Sequence, residues 1–111
     1  MGDTNYFSGI VKILETPQQC FINNRNVMIT FRAEVPQNRK NQMISLVFWG
    51  NLGHEVKNFY RVNDYILIEG YISLQNKKRV NILDKNSKQV IITVLKVYPF
   101  LLNPDRNFTK I

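Results

Sequence analysis

Three observations predict an all-β fold, a small closed barrel of five strands with a short helix between strands 3 and 4. Apolar and polar residues alternate with a period of two, most clearly from Val27 to Val35. The stretch with helical spacing is short, from Leu52 to Tyr60, and strand-like runs flank it on both sides. The block from Val47 to Ile72 reads in order as a strand ending in an aromatic, an amphipathic helix, a two-residue turn, and a strand ending in Glu69-Gly70.

The first strand is Tyr6 to Leu14, with Phe7, Gly9, Val11 and Ile13 on one face and Tyr6, Ser8, Ile10 and Lys12 on the other. Pro17 ends it because it lacks the ladder N–H, and Cys20 to Ile22 resumes pairing. Asn23 to Asn26 reads as a turn, since Asn tolerates left-handed backbone angles. In the second strand Val27, Ile29, Phe31, Ala33 and Val35 point inward, and Met28, Thr30, Arg32 and Glu34 point out. The third strand, Met43 to Trp49, puts Ile44, Leu46 and Phe48 inside and Met43, Ser45, Val47 and Trp49 outside.

Asn51 is the expected helix cap, ahead of the apolar positions Leu52, Val56, Phe59 and Tyr60. Asn63-Asp64 makes the next turn, Tyr65 to Leu74 the fourth strand, and Gln89 to Phe100 the fifth. Residues 1–100 are expected to form one domain and residues 101–111 a flexible tail. Five strands with a helix between the third and fourth is the layout of an OB-fold barrel. Such barrels place their ligands on the face of strands 2 and 3 and on the loops beside it.

At 111 residues and 13.1 kDa the chain is long enough for one modest core. A net charge of +7 implies an anionic partner without choosing among nucleic acid, an acidic protein and a membrane. The membrane is set aside because no apolar run approaches the roughly 18 residues of a spanning helix. No basic stretch followed by an apolar run opens the chain, so secretion is not expected. One Cys and one His exclude an internal disulfide and leave no metal-ligand cluster, and no cofactor is expected. His54, Cys20 and Asp64 are the conceivable nucleophile-and-base set, but their context resembles no nucleophile elbow. The glycines form no phosphate-cradling loop, so the expectation is a binding protein and not an enzyme.

At the residues Phe48-Trp49-Gly50-Asn51-Leu52, Glu55 to Tyr60, Asn63-Asp64 and Ile68-Glu69-Gly70-Tyr71-Ile72, the chain resembles a known family. It looks like the bacterial and organellar single-stranded-DNA-binding proteins, and is similar to their smaller relative, primosomal replication protein B. The resemblance runs from about Phe7 to Phe100, with weaker matches at Ser8-Gly9, Pro17 and Ile29-Thr30-Phe31. It implies non-specific binding of single-stranded DNA in replication, repair or recombination, with RNA as a second possibility, and assembly as a homodimer or homotetramer. The chain departs from the pattern at Asn63, where the family often has Gly. Met43 and Lys77 stand near the places of two stacking aromatics, and the sequence ends Phe108-Thr109-Lys110-Ile111 without an acidic recruiting tail. Asn, Ile and Lys are favoured, as in AT-rich organelle or bacterial genomes, so the expected location is a plastid or a bacterial cytoplasm.

Trp49 is either a core or interface residue or a stacking platform. Strand parity sets it opposite Phe48, and the resemblance sets it on the ligand face, which together favour stacking on a base. Tyr71 is outward by the same parity and serves either a base or an oligomer seam. Arg32 points out from strand 2, available to a phosphate, a base or a neighbouring acid. Arg39 and Lys40 in the loop between strands 2 and 3 are candidate phosphate contacts. So are Lys77, Lys78, Arg79, Lys85 and Lys88 between strands 4 and 5, where Asp84 is the lone acid. The alternative function is an OB module for protein interaction, its outward aromatics buried in an oligomer.

Overall fold

The computed structural model describes residues 5–21, 27–37, 40–76 and 88–104. The elements are β1 (Tyr6–Ile13), β2 (Gln18–Phe21), β3 (Val27–Val35), β4 (Gln42–Trp49), α1 (Gly50–Phe59), β5 (Tyr65–Asn76) and β6 (Lys88–Leu101). β1 pairs antiparallel with β5, β5 with β6, and β3 with β4, while β4 and β6 run parallel from Ser45↔Ile91 to Val47↔Thr93. Two pairs between β1 and β3, Lys12↔Glu34 and Ile13↔Ala33, close the ring.

The fold is therefore the expected OB barrel, and the short β2 is the interrupted remainder of its first stave. Gln18↔Thr30 to Phe21↔Val27 lie on the same edge of β3 that β1 uses further along. The ladder breaks after Ile13, ahead of Pro17, which has no N–H to offer it. β5 and β6 run a residue or two beyond the expected ends. The turn expected at Asn23 to Asn26 lies outside the described residues.

Period-two alternation fills the barrel as the sequence implies. Val11, Ile13, Ile29, Phe31, Ala33, Ile44, Leu46, Phe48, Ile66, Ile68, Ile92 and Val94 are buried. Phe31 and Phe48 stack at 5.3 Å between centroids in the middle of this set. Each of these side chains larger than Ala33 contributes about 1.5–3 kcal/mol by leaving water, so parity is strongly enforced and the opposite faces of β3 and β4 must look outward.

The helix differs from expectation in two details. It starts at Gly50, with Trp49 as the extended cap residue and no side-chain cap bond, so Asn51 lies inside it. Gly50 takes φ +64, a left-handed angle that glycine adopts without a Cβ penalty, and the helix cap falls two residues ahead of the expected Asn51. The buried face is centred on Val56, with Gly53 and Tyr60 beside it. Phe59 falls past its edge, is 45 % exposed, and meets Tyr60 edge-on at 4.8 Å.

The turn into β5 carries a buried charged group. Asn63 adopts φ 75, as an Asn can, and its N–H donates to the Ile13 carbonyl at 2.8 Å. Asp64 is fully buried, and its carboxylate accepts the Arg61 N–H at 2.9 Å and the Asn103 N–H at 2.7 Å. This ties the end of β6 to the turn, with Leu102 packed against the core. Asp64 is thus a structural acceptor. Residues from Asp105 onward lie outside the described set.

Glu69-Gly70 marks a register shift: Glu69 faces Lys96 and Gly70 faces Val94, which leaves Leu95 unmatched and outward. A Cβ on Gly70 would lie 2.1 Å from the Thr93 carbonyl oxygen, a backbone atom that cannot swing away. Gly70→Ala is therefore expected to lower stability by about 1–3 kcal/mol in a urea melt, the range for forced overpacking. An unchanged midpoint would show that β5 and β6 can part at the bulge.

Candidate nucleic-acid interface

Because Ile44, Leu46 and Phe48 are held inside, Ser45, Val47 and Trp49 line the outer face of β4. Two hollows lie on that face and share Ser45 and Gln89. The larger, about 360 Å³, runs over β3, β4, β6 and β5, with Met28 and Trp49 at one end, Gln75 and Gln89 at the other, and Thr93 in its floor. The smaller, about 260 Å³, continues it past Met43 to Arg32. Together they make a groove across the face of β3 and β4, floored by small polar and apolar side chains.

Trp49 is 44 % exposed at the end of this groove, so it is not a core residue. It stays outside because Gly50 ends the strand immediately after it, and its cross-strand neighbour is Met28. Ladder registers place Thr30, Val47, Thr93, Tyr71 and Tyr6 in one row across the barrel. Tyr71 is thus beside Thr93 at the groove's margin, 51 % exposed, with Tyr6 edge-on to it at 5.7 Å. The Tyr6 hydroxyl donates to Glu69 at 2.8 Å, and that bond raises its pKa above the ordinary value.

A protein of Trieres chinensis, "Putative single-stranded DNA-binding protein ycf41", is 34 % identical over 103 residues, covering 89 % of this chain and 91 % of its own length. The chain belongs to the single-stranded-DNA-binding protein family. No family model matches it. Solved structures below 25 % identity agree in fold. The single-stranded-DNA-binding (SSB) domain of a Synechococcus protein superposes with a TM-score of 0.69 at 21 % identity, covering 88 % of this chain and 98 % of that one. The small single-stranded DNA-binding protein of Streptomyces coelicolor gives 0.71 at 13 % identity, covering 86 % and 92 %. The second such protein of Mycobacterium smegmatis, SSBb, gives 0.68 at 18 %, covering 86 % and 87 %.

The residues singled out in the sequence separate into those the structure brings together and those it leaves aside. Trp49, Arg32 and Met43 line the groove, and Tyr71 borders it. Lys40 is exposed on the approach to β4. Arg39, Lys77, Lys78, Arg79 and Lys85 lie outside the described residues, as does the side chain of Lys88, which opens β6. Alternation alone would have pointed to the polar floor of Ser45, Ser73 and Thr93. A contact between Arg32 and Glu15 had no such signal, since it joins residues 17 apart through barrel closure.

Glu15 accepts two hydrogen bonds from Arg32 and forms an ion pair with it. One oxygen accepts the backbone N–H at 2.9 Å, and the other accepts Nε–H at 2.7 Å and lies 2.6 Å from Nη2 in the ion pair. The side-chain bond first, then the backbone bond, hold the Glu15 carboxyl below its ordinary value of 4.5. A depressed carboxylate contributes stability that is present above the unfolded value and withdrawn as pH falls below it. Glu15→Gln should therefore melt below the wild type at neutral pH, with the gap shrinking as pH drops under 4.5. A gap that does not change with pH in thermal melts would show that the ionised carboxylate adds nothing.

Proposed function

We propose that this protein binds single-stranded DNA without strong sequence preference, laying the strand along the β3–β4 groove. The observation that carries the reading is Trp49, an exposed aromatic at the end of an open polar groove on the face where OB-folds take oligonucleotides. The relationship to the Trieres protein, whose name gives it single-stranded DNA as ligand, supports the same reading. Bases stack on Trp49 and Tyr71, and the cationic residues Lys40, Arg39, Lys77, Lys78, Arg79, Lys85 and Lys88 supply phosphate contacts. The role is binding rather than catalysis. Replication, repair or recombination is the process that such binding serves. The name ycf41 belongs to a plastid-encoded gene, and a plastid is the location we assign.

We also propose that the protein works as a homodimer or homotetramer. The outer face of β1, β5 and β6 places Ile10, Leu67 and Tyr98 in one row. Tyr98, Phe100 and Leu101 are 46 %, 59 % and 59 % exposed, a contiguous apolar set on the side away from the groove. Light scattering at tens of micromolar should give a multiple of 13.1 kDa. A monomer mass at that concentration rules the assembly out.

Two measurements address the binding. Trp49 is the only Trp, so oligo-dT should quench intrinsic fluorescence directly. Trp49→Ala should cost roughly 1–3 kcal/mol of affinity, followed by anisotropy of a labelled oligonucleotide, while the denaturant midpoint stays close to wild type. Trp49→Phe should retain most of the binding, because any flat π-face serves. Unchanged affinity in Trp49→Ala removes the stacking assignment.

The salt response is the second test. With about five phosphates neutralised, log affinity should fall against log salt with a slope near −3.5. A strong preference for one sequence, or affinity indifferent to salt, would contradict non-specific electrostatic binding.

A further inference from the structure

Resting on the reading of the groove as a single-strand site, we propose that Glu15 presets Arg32 as a flat stacking surface for a second base and withholds it from phosphate. Glu15 is then a positioning residue, acting through Arg32.

Arg32 offers a nucleic acid two things, a planar face and a positive edge. Glu15 occupies the edge: Nε donates to one carboxylate oxygen, Nη2 pairs ionically with that same oxygen, and the backbone N–H of Arg32 donates to the other. Nη1 donates to the Met43 sulfur at 3.7 Å. All three guanidinium nitrogens thus have a partner, yet 56 % of the side chain is still exposed. It lines the smaller hollow with Gln42, Ser45 and Gln89.

A phosphate reaching this edge has to displace a charge-assisted contact that costs no further ordering, and it meets the like charge of Glu15. A base has no formal charge and stacks on the free face with the clamp intact. The spacing suits two platforms on one strand. Arg32 is four residues along β3 from Met28, the neighbour of Trp49, which is about 13 Å at roughly 3.3 Å per residue. Met43, against the guanidinium, is 51 % exposed, so the second platform is a guanidinium bordered by a thioether where Trp49 supplies an indole.

The test combines three observations on the full chain. In the free protein at neutral pH, the Nε–H resonance of Arg32 should be visible and protected from exchange, and should vanish in Glu15→Gln. Arg32→Lys keeps the charge and loses the plane, so oligo-dT affinity should fall about fivefold or more, with the salt slope unchanged. Glu15→Gln frees the edge for phosphate, so the slope should steepen by about 0.7.

An unprotected Nε–H in the wild type, or a Glu15→Gln slope equal to wild type, overturns the positioning role. Wild-type binding that survives Arg32→Lys undiminished shows that the charge and not the plane matters, and overturns the stacking role alone. Failure of the wild type to bind oligo-dT, with the Nε–H protected, strikes the single-strand reading itself and this inference with it.

Discussion

The structure depends on closing a five-stave ring in which β1 itself meets β3 over only two residue pairs. Lys12↔Glu34 and Ile13↔Ala33 are all that joins β1 to β3 in strand register. The surrounding bonds show how so short a seam holds. Ile13 donates to the Asp64 carbonyl and accepts from Asn63, and Leu14 donates to the Arg32 carbonyl. Asp64 in turn fastens the chain beyond β6 through the Asn103 N–H. The two ends of the barrel and the turn between α1 and β5 therefore meet at one node around Ile13. A fully buried carboxylate is tolerated there because the backbone N–H groups of Arg61 and Asn103 point at it.

The candidate site is continuous with that seam. The chain leaves β1 at the node, and two residues later Glu15 reaches Arg32 on the outer face of β3. Closing the barrel thus fixes not only the core but also the orientation of one groove side chain. At the groove's other end Gly50 does the equivalent work for Trp49, ending β4 with a left-handed step that leaves the indole at the rim. Between them the floor is set by parity alone, because side chains opposite Leu46 and Ile92 have nowhere to go but outward.

Parity is also the reason much of this was legible in the sequence. The alternation in Val27 to Val35 and Met43 to Trp49 correctly divided core from surface, since a one-residue slip would expose Phe31 and Phe48 together. The block from Phe48 to Ile72 gave both fold and family because its punctuation is chemical: a glycine at positive φ, an Asn at positive φ, and a glycine under a carbonyl. Local signals were weaker where several residues compete for one role. Asn51 is a good cap by composition, but Gly50 turned the chain first, and Phe59 fits the helical spacing but falls outside a face only three residues wide. The Glu15–Arg32 contact was illegible for a different reason. It exists only after closure, and no periodicity links a bend to a strand 17 residues on.

The exposed aromatics sort themselves into two surfaces with different chemistry. Around the groove, Trp49 and Tyr71 stand among Ser45, Ser73, Gln75 and Thr93, where a ring can offer its face while water still solvates its neighbours. Across β1, β5 and the second half of β6, Tyr98, Phe100 and Leu101 stand near Ile10 and Leu67, next to the polar row Ser8, Glu69 and Lys96. The bulge at Glu69-Gly70 is the border. Before it β6 shows Ile91 and Thr93 to the groove, and after it the extra residue Leu95 shifts the alternation so that Lys96, Tyr98 and Phe100 face out. One glycine, forced by the approach of the Thr93 carbonyl, thereby separates the polar face that carries Trp49 and Tyr71 from the face that carries Tyr98 and Phe100. Loss of that bulge would rotate the outward set of β6 by one residue and merge the two.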